Sequence, residues 1–150
     1  MRTAIVLGVG PLEGLGAKLS QRFSKEHHVF VAGRSAEKLA PVVERVREAG
    51  GSAEPLVTDA TDERAVKALF AAAGPSLDLA IYNAGNNTPG AIETMEAAYF
   101  EASWRVCCFG GFLFGREAVR SMKAGGGTVL FTGASASLRG RANFGAFNSS

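Results

Sequence analysis

The chain has 150 residues, of which 47% are hydrophobic and 20% charged, with a formal net charge of +2. This length allows one domain with a substantial core. Its lysines and arginines are scattered, so no basic patch predicts binding to nucleic acid or to a membrane surface. The longest uncharged apolar run, 106–115, is too short to span a bilayer, and the amino terminus does not resemble a signal peptide.

The two cysteines, Cys107 and Cys108, are adjacent in an apolar helical stretch. Neither a disulfide framework nor a metal site follows from that spacing, and we interpret them as buried free thiols. Free thiols are typical of a reducing compartment, so we expect a cytoplasmic protein without a bound metal.

Segments with strand and helix patterns alternate along the chain. Apolar runs predict strands at 3–9, 29–32, 54–57, 77–82 and 128–132. Three amphipathic helices lie between them, with the apolar stripes Leu15, Leu19 and Phe23; Leu39, Val42, Val43 and Val46; Val66, Leu69, Phe70 and Ala73. A longer helix with interior glycines is predicted at about 95–123.

Strands joined by single helices require right-handed crossovers, a parallel sheet and helices on both faces. We therefore predict a Rossmann-type doubly wound α/β fold, with residues 1–150 forming one dinucleotide-binding domain. A complete fold of this type has six strands in the order 3-2-1-4-5-6. Because five strands fit the sequence, we expect the domain to be truncated after the fifth strand, with its carboxy-terminal part missing.

A glycine-rich turn separates the first strand from the first helix. At this location Gly10 permits a tight turn, Gly14 lets the backbone approach a pyrophosphate, and Gly16 lets the helix pack on the strand. The amides that begin the helix at Leu15 would face the phosphates. The turn therefore predicts a dinucleotide site, and a purely structural turn remains the alternative.

The residues after the second strand distinguish between two cofactors. An NAD site places an acidic residue there to bond the ribose 2′-hydroxyl, whereas an NADP site uses a cation. This chain has Arg34 and Ser35, which can both bond a 2′-phosphate. The sequence thus favours NADP(H) over NAD(H), unless Arg34 is only a solvated loop residue.

Taken together, these features resemble the short-chain dehydrogenase/reductase family over the whole chain. The resemblance rests on the glycine turn, Arg34, Asp59 after the third strand, and Asn83, Ala84 and Gly85 after the fourth. It implies that Asn83–Gly85 steady the sheet beside the cofactor. It also implies that Asp59 contacts the adenine, with helix capping as the alternative role.

The same resemblance makes the chain an atypical member of the family. The family's catalytic tyrosine aligns with Phe147, its serine with Ala134, and its helical asparagine with Cys107. The family's lysine would lie beyond the chain. Phenylalanine has no proton to give, so the usual acid/base step cannot occur at Phe147. Ser135, one residue out of register, is the remaining hydroxyl, although serines in such loops are usually turn residues.

Two functional hypotheses remain. The first is an NADP(H)-dependent oxidoreductase that acts on a small carbonyl or alcohol substrate with impaired or non-standard catalysis, and that forms homo-oligomers in the full-length protein. The second is a catalytically silent dinucleotide-binding module with a regulatory or partner-pairing role.

We expect Tyr82 to be a sheet residue beside the cofactor. His27 and His28 are expected to be exposed residues in the turn before the second strand.

Overall fold

A computed structural model of the chain describes residues 1–140 and 142–148, with the side chains of all of these except Phe147 and Asn148. Five strands form one parallel sheet in the order β3-β2-β1-β4-β5. The strands are β1 Arg2–Leu7, β2 His27–Gly33, β3 Ser52–Val57, β4 Leu77–Tyr82 and β5 Thr128–Phe131. The predicted doubly wound fold is confirmed.

Helices cover both faces of this sheet. They are α1 Leu15–Phe23, α2 Ala36–Glu48, α3 Glu63–Ala73, α4 Ala97–Trp104, α5 Gly110–Met122 and the short α6 Gly145–Asn148. A π-helical turn, Arg105–Phe109, joins α4 to α5, so the long helix predicted at 95–123 is continuous but irregular. Across the described ranges, no helix is both long and apolar enough to span a membrane.

Two apolar layers hold the helices to the sheet, with α1 and α2 on one face and α3 and α5 on the other. All the predicted stripe residues of α2 and α3 are buried. Helix α1 differs, because Leu15 is 54% exposed while Gly16, Ala17 and Ser20 are buried. The physical reason is proximity: a Cβ added at Gly16 would lie 2.9 Å from the carbonyl oxygen of Gly8. Only small side chains fit on that face.

The two histidines lie in the sheet, so their predicted placement in an exposed turn is wrong. Strand β2 begins at His27, which pairs in register with Arg2 of β1. His27 is only 6% exposed, and its Nε2 atom lies 3.0 Å from Oδ2 of Asp78. The Nδ1 atom of His28 lies 2.7 Å from the Ser52 hydroxyl. Because β2 pairs with β1 and β3 along its whole length, it extends from His27 to Gly33, beyond the apolar run 29–32 that predicted it.

Asp78 links the amino ends of three strands. Its Oδ2 atom accepts hydrogen bonds from Nε2 of His27 and from the Arg2 guanidinium, each at 3.0 Å. These two donors stabilise the carboxylate, His27 more strongly, and they lower the pKa of Asp78. A lowered pKa in the folded chain means that Asp78 stabilises the fold above the pKa of the unfolded carboxyl, near 3.9. This stabilisation is lost as the pH falls through the lower, folded pKa.

We therefore predict that Asp78→Asn lowers the unfolding midpoint at pH 7 by a few degrees. The deficit should shrink as the pH falls below about 4 toward the folded pKa, because the wild-type carboxyl then becomes protonated as well. Thermal unfolding at a series of pH values measures both effects. Glu44→Gln, on the exposed side of α2, is the control and should show neither. A deficit that grows toward low pH would contradict the prediction.

Candidate functional site

A cleft of about 310 Å³ opens at the carboxyl ends of the central strands. Its walls come from the turn after β1, the start of α1 and the residues that follow β2, β3 and β4. In the sheet, β2 lies on one side of β1 and β4 lies on the other, so the direction in which strands are added reverses at β1. Ligands of doubly wound folds bind at such a reversal of strand order. We call this space the first cleft.

The sharp turn at the end of β1 lies at Gly8 rather than at Gly10. Gly8 has a φ of +102°, and a Cβ there would overlap the backbone of Asn83 and Ala84. Its amide and that of Val9 both donate to the carbonyl oxygen of Ala32, at 3.0 and 2.9 Å. Gly10 has no left-handed backbone, and a Cβ there would meet nothing within 4 Å. Gly10 therefore leaves open space along the first cleft.

The start of α1 presents backbone amides to the first cleft. The first bond of the helix runs from the Lys18 amide to the Gly14 carbonyl, at 3.2 Å. The amides of Leu15 and Gly16 precede that bond and have no acceptor within the helix. Both residues line the first cleft, and the first turn carries no acidic side chain. With the positive end of the helix dipole, this is a favourable environment for a phosphate.

Arg34 lies in the wall of the first cleft just after β2, and its side chain is exposed. Across residues 1–140 and 142–148 its guanidinium has no hydrogen bond or ion pair. Ser35 is the N-cap of α2, but its hydroxyl caps no amide and it is not among the residues that line the cleft. The structure therefore brings Arg34 to the cleft and leaves Ser35 at its margin.

Asp59 lies at the same end of the first cleft, after β3. Its Oδ1 atom accepts from the amide and the hydroxyl of Thr61, at 2.8 and 2.9 Å. The cap of α3 is Asp62, whose side chain accepts from the amides of Arg64 and Ala65. Asp59 thus closes the turn before the helix instead of capping it.

Asn83 ties together three strands at the floor of the site. Its Nδ2 donates to the carbonyl oxygen of Gly8 at 3.0 Å, and its Oδ1 accepts from the Thr132 hydroxyl at 2.9 Å. Its own amide donates to the carbonyl of Leu7 at 2.7 Å. The side chain therefore fixes the turn after β1 relative to the end of β5.

Asn83, Ala84 and Gly85 also line a second cleft, of about 380 Å³, so the two clefts share a wall. The other lining residues that bear a polar group are Tyr82, Asn86, Asn87, Cys107, Thr132 and Ser137. None of the described lining residues carries an acidic or basic side chain. The arrangement suits a small uncharged molecule placed beside a ligand in the first cleft.

Ser135 is exposed in a 3₁₀ turn, Ser135–Ser137, and is not among the residues of the second cleft. Its carbonyl oxygen accepts from the amides of Leu138 and Arg139, at 3.1 and 3.0 Å. The hydroxyl that reaches the cleft belongs to Ser137, and it donates to the carbonyl of Ala134. Phe147 is in α6, but its side chain lies outside the described residues.

Sequence reasoning missed Gly8, Ser137 and the pair Asn86 and Asn87. Gly8 stood in the same glycine run as Gly10, directly after the last residue of β1. The two asparagines follow the end of β4, where polar residues signal the ligand-facing edge of a parallel sheet. No sequence pattern distinguishes Ser137 from Ser135, because the conformation of the 3₁₀ turn decides which serine faces the second cleft.

Residues 2–150 match the family model described as short chain dehydrogenase. The chain belongs to this family. A 3beta-hydroxysteroid dehydrogenase from Mediterraneibacter gnavus is 35% identical over 147 residues, which are 91% of this chain and 51% of that relative. The chain spans about half the length of the curated relatives that it matches.

Two solved structures illustrate how widely this fold is shared. One from Rhodopseudomonas palustris is 37% identical with a TM-score of 0.90, and the match covers 99% of this chain and 71% of that one. An actinorhodin polyketide ketoreductase with NADPH is 22% identical with a TM-score of 0.91, covering 99% of this chain and 59% of that one. The second likeness concerns the fold alone.

In this short-chain dehydrogenase, the different roles of two glycines in one turn can be tested directly. Gly8→Ala should lower the free energy of unfolding by at least about 2 kcal/mol, because a left-handed backbone alone costs about 1–2 kcal/mol and the added Cβ overlaps the backbone of Asn83 and Ala84 just after β4. Gly10→Ala, the matched control, should change it by less than about 0.5 kcal/mol. Urea unfolding of the two variants measures the difference. Equal losses would contradict the assignment of the turn to Gly8.

Proposed function

We propose that the first cleft binds a nicotinamide dinucleotide and prefers NADP(H) to NAD(H). The observation that carries the preference is the exposed, unpaired guanidinium of Arg34 after β2. No carboxylate occupies that position, which is where an acidic residue would repel a 2′-phosphate. A charge-assisted bond from a guanidinium to a phosphate is among the strongest polar contacts available.

The residues of the first cleft fit the whole dinucleotide. The free amides of Leu15 and Gly16 would hold the pyrophosphate, and the open space at Gly10 admits it close to the backbone. Asp59 lies with Arg34 at the end suited to the adenosine. Asn83–Gly85 lie at the other end, beside the second cleft, where a nicotinamide ring would meet a substrate.

The cofactor preference predicts at least a tenfold tighter binding of NADPH than of NADH, equivalent to about 1.4 kcal/mol. Arg34→Ala should abolish most of that difference, because NADPH loses its phosphate partner while NADH loses little. Titration of both cofactors by fluorescence measures the ratio. Arg45→Ala, an exposed arginine of α2, is the matched control and should keep it. A preference for NADH that Arg34→Ala leaves unchanged would overturn the assignment.

We further propose that the chain is an oxidoreductase moving hydride between the nicotinamide and a small carbonyl or alcohol substrate in the second cleft. Membership of the short-chain dehydrogenase family and the wall shared by the two clefts support this reaction. A bound nicotinamide supplies the hydride chemistry. The amides of Asn86 and Asn87 and the hydroxyl of Thr132 supply the polar contacts that orient a neutral substrate.

Proton transfer is the step of the proposed reaction that we expect to be impaired or non-standard. The tyrosine of the second cleft, Tyr82, already donates its hydroxyl to the carbonyl of Val106. Burial raises the pKa of Tyr82, so the phenol is a poor source of protons. Ala134, at the position of the family's serine, brings no hydroxyl to the cleft. Ser135, the remaining hydroxyl expected from the sequence, does not line the cleft, so the proton would come from another group, such as water.

The alternative function is a catalytically silent dinucleotide-binding module with a regulatory or partner-pairing role. The described lining residues of the second cleft include no carboxylate, imidazole or amine, and the Tyr82 phenol is already hydrogen-bonded, which favours this alternative. Pairing between copies is part of both proposals, because Trp104 and Phe112 are exposed on the α4–α5 face. The expectation that both thiols are buried is wrong, because on the π-helical turn Cys107 is half-buried and Cys108 is exposed. Two unpaired thiols still support the proposed reducing, cytoplasmic setting for either function.

Catalysis separates the two functions. The unmodified chain should reduce simple carbonyls very slowly with NADPH, because positioned acid/base groups usually contribute about 10²–10⁴-fold. Combining Ala134→Ser with Phe147→Tyr should raise the rate at least about tenfold if the scaffold is competent. NADPH oxidation followed by absorbance measures the rate, with Phe144→Tyr as the control for adding a phenol.

Brisk turnover by the unmodified chain would show that the alignment at Phe147 is wrong. A rate unchanged in the double variant, with NADPH still bound, would favour the silent module. Failure to bind NADPH at all would instead contradict the assignment of the first cleft.

A further inference from the structure

The helix that borders both clefts is interrupted at one place. In the π-helical turn Arg105–Phe109, the amide of Gly110 donates to the carbonyl of Arg105, five residues earlier. The carbonyl of Val106, which the Gly110 amide would bond in a regular α-helix, accepts the hydroxyl of Tyr82 instead. A side chain from the sheet therefore substitutes for a helical donor.

Tyr82 is rigidly held where it makes this bond. It is the last residue of β4 and only 4% exposed. Its ring packs between Phe114 and Phe131, with ring centroids 5.3 and 5.9 Å away. Its backbone carbonyl accepts from the amide of Thr132 at 2.9 Å. The hydroxyl thus has one direction available, toward the π-helical turn.

Gly110 allows the helix to approach that hydroxyl. A Cβ at Gly110 would overlap the Tyr82 hydroxyl and would lie 2.9 Å from the carbonyl oxygen of Ala60. The glycine and the tyrosine are therefore complementary, and both are needed for the close contact between β4 and the turn.

Two successive residues of this turn face different clefts. Val106 lines the first cleft, and Cys107 lines the second. The Cys107 thiol lies 3.6 Å from the place that a Cβ of Gly85 would occupy, so the sulfur points at the wall that the clefts share. The backbone geometry of the π-helical turn sets both directions, because π-bulges change the angle between successive side chains.

We propose that Tyr82 is a positioning residue whose hydroxyl holds the π-helical turn and thereby directs Val106 and Cys107 into the two clefts. Without the hydroxyl, the Val106 carbonyl can take the amide of Gly110 as in a regular helix. That change would rotate Cys107 away from Gly85 and expose its thiol. The proposal does not depend on nucleotide binding.

The adjacent thiols provide the measurement. Alkylation by iodoacetamide, followed by peptide mass spectrometry, gives the rate at Cys107 relative to that at the exposed Cys108. Tyr82→Phe should raise this ratio about fivefold, the factor that the loss of one buried hydrogen bond permits. Tyr99→Phe is the matched control, because Tyr99 also donates its hydroxyl to a backbone carbonyl, that of Thr88 at 3.0 Å, away from the turn. It should leave the ratio unchanged.

A general loss of stability would speed the alkylation of Cys107 in both tyrosine variants, and that result would overturn the proposal. So would an unchanged ratio in Tyr82→Phe when the variant still unfolds cooperatively. If Tyr82→Phe does not fold, NMR of the unmodified chain with labelled tyrosine decides. A slowly exchanging Tyr82 hydroxyl proton supports the proposal, and a rapidly exchanging one overturns it.

Discussion

The close approach of β1 and β4 at their carboxyl ends controls the rest of the site. Gly8 turns with a φ of +102°, and the backbone of Asn83 and Ala84 occupies the space that a Cβ at Gly8 would need. Asn83 then bonds the carbonyl of Gly8 and, on its other side, the hydroxyl of Thr132. One amide side chain therefore sets the spacing of β1, β4 and β5, and the two clefts lie on either side of it.

The polarity of the first cleft follows from this backbone arrangement. With the turn fixed at Gly8, helix α1 begins close to the sheet, and its free amides at Leu15 and Gly16 are directed at the cleft. These dipoles attract anions although the lining residues at the start of α1 carry no charged side chain. Arg34 adds the one cationic side chain among the described lining residues, at the far end of β2. In the proposed dinucleotide complex, the fixed backbone dipoles would bind the pyrophosphate common to both cofactors, and Arg34 would bind the 2′-phosphate that distinguishes them.

Periodicity predicted the elements that bury an ordinary apolar face, as the stripes of α2 and α3 show. It failed where contacts distant in sequence decide. Helix α1 buries small residues because Gly8 lies against it, and β2 starts at His27 because Arg2 pairs with it. In the site, the glycine turn, Arg34 and Asp59 were identified from position after a strand. The difference between Ser135 and Ser137 was not, since it depends on the rotation of one 3₁₀ turn.

Binding and chemistry depend on different parts of this chain. The first cleft is formed mainly by backbone: glycines without Cβ atoms, amides at a helix start and the ends of strands. Proton transfer requires particular side chains, and the phenol nearest the second cleft is already committed to the Val106 carbonyl. Substitutions in the loop after β5 would therefore alter the proposed chemistry while the first cleft keeps its shape. In our proposal the hydroxyl of Tyr82 also contributes to the shape of the first cleft, because the π-helical turn that it holds borders both clefts.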